Sequence, residues 1–442
     1  MRWRKVKFSE FLVERKERFK PDVSNELGLN RISKIDFSGC IHVSENKPTK
    51  TNMILVKNGD LVISGINADK GAVAIYKGKD NVMATIHYSS YTFDKTKINI
   101  DYLTWFLKSK RFIEILRTQA KGGIKTELKA KKLLPLEIDL PTLPLQLEIL
   151  TKIESMNQEN DLLLNEIALK IKLTKKLKQT IIQEAIEGKL TVDWRKENPN
   201  TETASALLKC IKEEKYQLIA DKKRKKEKPL PLITEEEILF ELPKSWEWCR
   251  LGNITNYGSS QKIDSEEIKA DTWVLDLEDI EKESSKILQY KTFSDRPSLS
   301  TKSIFKKGWV LYSKLRPYLD KVVVALNDGV CTTEILPLPI YSRLQSHYLM
   351  YTLKGKHFLN YVNSKVGGMK MPRLGTSDGK MALIPLAPLE EQKVIIRKVE
   401  SLMKKCQVLE QVIKTSEAHA QMLMQAVLKE AFEVKKEVEI QF

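Results

Sequence analysis

Between residues 395 and 427, apolar or small side chains recur at Ile395, Val399, Leu402, Cys406, Leu409, Ile413, Ser416, Ala420, Leu423 and Val427. The steps alternate between four and three, which is the heptad seam of a coiled-coil helix. An earlier stretch has the same rhythm, at Ile149, Ile153, Met156, Asn160, Leu163, Ile167, Lys170, Thr174, Leu177 and Ile181. Polar residues on a seam fix register at some cost in stability, so Asn160 and Lys170 mark this copy as the less apolar of the two. Pro141 and Pro144 precede the first stripe and Pro385 and Pro388 the second, where proline is compatible with a helix start. Each helix is expected to run about 40–45 residues, or roughly 60–65 Å at ~1.5 Å per residue. Two such stripes in one chain most simply pair with each other.

Outside the stripes the period changes. Short β-branched runs that end at glycine, such as "MILVKNGDLVIS", "GAVAIYKG", "GWVLYSKL" and "KVVVALNDG", predict strands. Helical segments follow at 101–117 and 346–362. The expected fold class is α+β: two pseudo-twofold-related globular domains separated by two long antiparallel helices that form a coiled-coil spacer. The expected boundaries are 1–145 for the first domain, 146–190 for the first spacer helix and 191–242 for a connector with an exposed helix. The second domain then takes 243–387, and the second spacer helix 388–435. In the connector, "KKRKKEK" reads as a solvated face or a phosphate contact.

The two halves are copies. "LKQTIIQEAIEGKL" (177–190) returns as "LMQAVLKEAFEVKK" (423–436), and a shift of 246 holds without a gap from Tyr102 to Leu190. Over those 89 positions 24 are identical. Upstream the copies diverge, although "NGDLVISG" (58–65) still echoes "KGWVLYSK" (307–314) at a shift of 249. One part of each copy is thus held constant and another is free to vary.

Charge and composition then narrow the function. Lys and Arg number 75 against 58 Asp and Glu, a net charge of +17, which favours a polyanionic partner. No uncharged apolar run approaches the ~18–20 residues of a membrane span. The charged N-terminus does not resemble a secretory signal, so a cytoplasmic location is expected. Cys40, Cys210, Cys249, Cys331 and Cys406 form no CxxC pair, which argues against a zinc site or a disulfide framework, and no metal is expected. There is no GxGxxG and no GxxxxGK[ST]. "NPNT" (198–201) lacks the second proline and the aromatic of an adenine-methyltransferase loop. Asp22, Glu45 and Lys47 superficially fit a nuclease pattern that a chain rich in Lys and Glu produces by accident. The five histidines, His42, His87, His347, His357 and His419, are dispersed and read as ordinary surface or core residues.

The layout, with "LAPLEEQKVIIRKVESLM" (386–403) opening one helix and "LKQTIIQEAIEGKL" closing the other, resembles the specificity subunit of type I restriction-modification systems. "LPKSWEWCRLGNI" (242–254) looks like that family's opening of a target-recognition domain. "LTVDWRKENPN" leading to "PLPLITEEEILFELP" resembles its connector. Two departures are visible. Pro144-Leu145 replace the acidic pair that Glu390-Glu391 keep before Gln392, and Trp3 stands where Trp248 stands in the second domain. The resemblance implies a sequence-specific DNA-binding protein with no catalytic site of its own. Each domain would read half of a bipartite, asymmetric target in double-stranded DNA. Modification (methyltransferase) subunits that carry S-adenosylmethionine would bind the helices, and restriction (translocase and nuclease) subunits would join them. The competing class is a coiled-coil scaffold or adaptor without DNA specificity.

Candidate DNA contacts lie where basic and small residues meet in predicted loops. In the first domain they are Asn67 and Lys70 after the "LVIS" strand, with Lys121, Lys125 and Lys129 around Gly122-Gly123. In the second they are Lys314, Arg316 and Tyr318 in "SKLRPYLD", with Lys365, Lys370 and Arg373 around Gly367-Gly368. Glycine pairs allow close backbone approach. Lysines supply phosphate affinity, and arginine suits guanine in the major groove.

Overall fold

The computed structural model describes residues 3–433, apart from 38, 120–126, 223, 225–227, 342 and 369. The chain divides into two compact units, Met1–Leu169 with Ile413–Phe442, and Lys170–Val412. The helices used below are α1 (Ile100–Leu107), α2 (Leu143–Ile186), α3 (Ala204–Ala220), α4 (Ser346–Leu353) and α5 (Leu389–Ala431). The helices α2 and α5, with 44 and 43 residues, each contribute to both units.

The first unit holds β1 (Trp3–Lys7), β2 (Leu12–Glu14), β3 (Arg18–Phe19), β4 (Arg31–Ile35), β5 (Ile41–Ser44), β6 (Met53–Val56) and β7 (Leu61–Ser64). It continues with β8 (Val73–Ile75), β9 (Val82–Thr85), β10 (Tyr88–Phe93) and β11 (Glu137–Pro141). The second unit holds β12 (Glu247–Arg250), β13 (Lys262–Ile263), β14 (Trp273–Leu275), β15 (Lys291–Thr292) and β16 (Lys302–Phe305). It continues with β17 (Val310–Ser313), β18 (Val322–Val324), β19 (Gly329–Thr332), β20 (Ile335–Leu338) and β21 (Leu383–Leu386).

The topologies match, except that β2 has no counterpart strand in the second unit. One sheet runs β3-β6-β9-β4-β5 in the first unit and β13-β16-β19-β14-β15 in the second. Its single parallel contact, β4 with β9, recurs as β14 with β19. The other sheet runs β2-β10-β7-β8 against β18-β17-β20. The strands β6, β7 and β8 lie at a shift of 249 from β16, β17 and β18. Gly59 and Gly308, both at φ +83°, make the tight turn before β7 and β17, where a side chain would be strained. All four residues of β7 and of β17 are buried, which explains why these strands read as continuous apolar runs.

Each long helix starts from a repeated anchor. The side chain of Gln146 accepts the Asn99 N–H at 2.7 Å and donates to the Pro141 carbonyl at 2.8 Å. Gln392, shifted by 246, accepts the Gln345 N–H at 3.0 Å and donates to the Ala387 carbonyl at 2.8 Å. Both glutamines are buried, so these bonds satisfy an amide that would be costly left alone. The far helix ends dock in an equally repeated way. Phe432, just past α5, packs edge-on against Tyr102 and Phe106 of α1, with centroids 5.4 Å from each. Its counterpart Ile186, the last residue of α2, sits against Gly355 just beyond α4, where an added Cβ would collide with the Ile186 Cδ1.

The helices run antiparallel within each unit. In the first, Ile153 shares a core with Leu428 and Phe432, whereas Ile167 packs with Ile413 and Ala420. In the second, Ile181, Ile182 and Ala185 share a core with Ile395, Val399 and Cys406, and Lys178 pairs with Glu410 at 2.6 Å. The seam is narrower than its sequence suggests. Ile153, Asn160, Ile167, Thr174 and Ile181 are buried, as are Val399, Cys406, Ile413 and Ala420, at steps of seven. The intervening Leu177, Leu409 and Leu423 are exposed (46%, 41% and 47%), contrary to their predicted place on the seam. The helices therefore meet along one line per heptad, with the second heptad position turned to the edge of the contact.

Two further expectations change. Helix α3 is not simply exposed: Ala204, Leu207, Leu208 and Ile211 line one face in the second unit's core, and Lys215 donates to the Gly252 carbonyl at 2.7 Å. Trp3 corresponds to Trp246, not Trp248. The strand pairs Val6↔Ile138 and Cys249↔Ile384 fix the match, since Ile384 lies 246 beyond Ile138. Val6 and Cys249 are accordingly both buried.

The core also holds a pH-sensitive residue. His357 is buried between Phe240 and Trp248, with ring centroids 6.0 Å from each. Burial pushes its pKa down to about 4, against the opposing pull of Glu187. Unfolding restores the usual ~6.5, so between these values the unfolded chain binds more protons and stability rises with pH. Acidification from pH 7 to 5 should cost about 2 kcal/mol from this group. Urea midpoints at the two pH values measure it, and His357→Phe should flatten the difference.

Candidate nucleic-acid interface

The strands β7 and β17 end at loops built on one plan. After each comes a short 3-10 turn, Ala68–Lys70 in the first unit and Pro317–Leu319 in the second, again shifted by 249. Gly65 donates its N–H to the His87 carbonyl at 2.8 Å and accepts the Leu128 N–H at 2.8 Å. Lys314 donates to the Glu334 carbonyl at 3.0 Å and accepts the Leu374 N–H at 3.0 Å. Each loop is thus clamped between the turn joining the last two sheet strands and the segment after the glycine pair.

Side chains reinforce the clamp with different chemistry. His87 Nδ1 lies 3.1 Å from Glu127, whereas Arg373 at the place of Glu127 donates to Glu334, at the place of His87, at 3.0 Å. Acid and base have exchanged sides. Sequence reading passes over His87, Glu127 and Glu334, because their pairing appears only when shifts of 247 and 246 are applied to two separate segments.

In the second unit the loop is strained. Arg316 (φ 48°) and Asp320 (φ 49°) both occupy the left-handed region, which is unfavourable by about 1–2 kcal/mol for a non-glycine residue. Arg316 N–H donates to the Pro372 carbonyl at 2.8 Å, and Lys354 donates to the buried Asp320 carboxylate at 2.7 Å. Burial raises the Asp320 pKa to about 6, with Lys354 pulling the other way. In the first unit the place of Asp320 is taken by Gly71, at φ +87°. Lys108, 246 before Lys354, lies beside Asp36; burial lowers its pKa and Asp36 opposes the shift.

The structure brings Lys314 and Arg316 against Arg373 through the Leu315↔Arg373 bridge. Tyr318 is exposed beside them. Lys365 stands over the Tyr361 ring at 5.5 Å, and Lys370 is exposed in the following segment. In the first unit Asn67 and Lys70 flank the turn, Lys70 lies 5.7 Å from the Phe37 ring, and Lys129 pairs with Glu127 at 3.1 Å. Lys121 and Lys125 lie outside the described residues, as does part of the "KKRKKEK" run. Contrary to the dispersed reading of the cysteines and histidines, Asp36, Cys40 and His42 converge within 4.8 Å on the β4–β5 hairpin. There Asp36 already accepts the Cys40 N–H at 2.8 Å and contacts His42 Nε2 at 3.1 Å.

No family model matches the chain. It is 26% identical over 367 residues to the type I restriction enzyme EcoDI specificity subunit of Escherichia coli, a match covering 83% of this chain and 76% of that one. It is 33% identical over 256 residues to the EcoAI specificity subunit of the same organism, covering 54% of this chain but only 41% of the relative. Its fold matches a solved structure described as "Structural basis underlying complex assembly and conformational transition of the type I R-M system". That likeness has a TM-score of 0.66 at 17% identity and covers 98% of both chains, and at such identity it is one of fold. Repeat, motifs and relatives point the same way: over most of its length the chain is similar to the specificity subunits of type I restriction-modification systems.

Proposed function

We propose that this chain reads a bipartite, asymmetric DNA sequence, one half with each lobe, and directs the methylation and restriction carried out by partner subunits. It supplies recognition rather than catalysis, and S-adenosylmethionine belongs to the modification partner. The observation that carries this reading is the pair of clamped loops. They share one backbone plan yet carry different side chains at matching positions, as two readers of unlike half-sites require. The net charge of +17 suits phosphate contact.

The long helices suit the roles of spacer and docking surface. At ~1.5 Å per residue each measures about 65 Å, close to two turns of duplex DNA at ~34–36 Å each. Away from the seam, Leu162 and Leu169 of α2 are exposed in the first unit and Leu173 in the second, with Leu177 exposed at the seam's edge. Val408 and Val412 of α5 are exposed as well. Such apolar faces on charged helices favour protein partners. Among the described residues no helix is long and apolar enough to cross a membrane, and the cytoplasm is the compartment this function requires.

The test is a salt titration of the chain with its modification partner, on a preferred duplex and on random competitor. Six to ten phosphate contacts predict a loss of about 10³–10⁵ in affinity between 50 and 200 mM salt, with the preferred duplex retained over competitor throughout. A flat salt response, or equal affinity for both duplexes, contradicts the proposal. The chain alone should transfer no methyl group from labelled S-adenosylmethionine to DNA, and transfer would refute the non-catalytic reading.

A further inference from the structure

Resting on the DNA-reading function proposed above, we propose that Arg316 and Asn67 are matched base readers, with Arg316 taking a guanine in one half-site and Asn67 an adenine in the other. Both residues open the 3-10 turn that follows the central strand of the smaller sheet, 249 positions apart. Both turns are held on two sides by the backbone clamps, so each side chain leaves a fixed platform rather than a free loop.

Availability separates these two from several of their neighbours, though not from Lys314, Tyr318 or Lys370. Arg373 is engaged by Glu334, Lys129 by Glu127, Lys365 by the Tyr361 ring and Lys70 by the Phe37 ring. Among the described residues, neither the Arg316 guanidinium nor the Asn67 amide has a hydrogen-bond or ionic partner. An uncommitted guanidinium on a rigid mount is what bidentate recognition of guanine O6 and N7 requires. An uncommitted amide is what adenine N6 and N7 require.

The backbone gives an independent sign. Arg316 adopts a left-handed conformation that a glycine would take freely, and Asp320 does the same at the other end of the turn. The buried Lys354–Asp320 ion pair and the Arg316 N–H to Pro372 bond hold both in place. Strain that the surroundings enforce, with an arginine kept where glycine fits better, marks a side chain required at that point.

The experiment selects duplexes from a randomised pool with the full chain bound to its modification partner, comparing wild type with Arg316→Ala, Arg316→Lys, Arg316→Gly and Asn67→Ala. Wild type should enrich guanine at one position of one block and adenine at one position of the other. Arg316→Ala and Arg316→Lys should each lose discrimination at the guanine alone, by about five- to 150-fold, and leave the second block intact. Arg316→Gly relieves the turn and should give the same loss, which separates base reading from loop collapse. Asn67→Ala should show the mirror pattern at the adenine. A uniform loss over all sequences assigns Arg316 to phosphate and overturns the inference, as does an unchanged motif. If wild type enriches nothing, the underlying function falls and the inference with it.

Discussion

Lengthening both long helices by seven residues, after Ile167 in α2 and after Ile413 in α5, should lengthen the DNA spacer that the complex prefers. The two sites share one small core, and buried positions recur every seven residues, so a matched heptad preserves the contact line. The added length is about 10 Å. Translation alone would allow about three more base pairs at ~3.4 Å each. Each base pair also turns the next half-site by about 34–36°, whereas seven helical residues turn a lobe by only about 20°. The preferred spacer should therefore grow by about one to three base pairs. On the parent site one lobe loses its groove and with it the gain from bivalency, a drop of about 10²–10⁴ in affinity. Competition binding on duplexes with graded spacers measures both effects. An unchanged optimum would show that the helices do not set the reach.

Glu391→Ala should destabilise the second unit strongly, because it removes the shared acceptor of a buried network. The side chain is fully buried in the first turn of α5, where a carboxylate is also favoured by the helix dipole. It accepts the Thr191 hydroxyl at 2.6 Å, the Trp246 indole N–H at 2.7 Å and the Arg195 guanidinium. One group thereby ties the segment after α2, the lead into β12 and the start of α5 together. Truncation leaves an indole N–H and a largely buried guanidinium without their acceptor. That costs about 3–5 kcal/mol for a broken buried pair, nearer the lower figure because Arg195 keeps some solvent contact. Glu391→Gln keeps the shape and should cost about half as much. Urea unfolding reads both values, and a loss below about 1 kcal/mol would mean that water replaces the network. Leu145 occupies the matching position in the first copy, so the substitution of the acidic pair seen in the sequence removes a latch from one of two otherwise similar junctions.

The repeat is the most legible feature of the chain. A shift of 246 predicts Gln146 and Gln392, Tyr102 and Tyr348, and Lys108 and Lys354 as counterparts, and the folded chain gives the two glutamines two matching hydrogen bonds each. The heptad pattern predicts the long helices almost to their ends, because packing against one partner imposes a period that sequence records. It does not separate Thr174 from Leu177, since a narrow contact buries one heptad position and exposes the other whatever their polarity. The lobes are harder to read. Their short strands share a topology that depends on non-local pairing, and only "NGDLVISG" against "KGWVLYSK" betrays it. Within the candidate site, composition points to Asn67 and Arg316, but their equivalence needs the 3-10 turns. The His87–Glu127 and Glu334–Arg373 bridges join segments about 40 residues apart, and no local pattern encodes them.

The most direct measurement is the base sequence that this chain, bound to its modification partner, draws from a fully randomised duplex pool. Two short, unlike blocks at one fixed separation are predicted. A single uninterrupted block, a freely varying gap or no preference at all would contradict a pair of clamped readers held on a helical spacer.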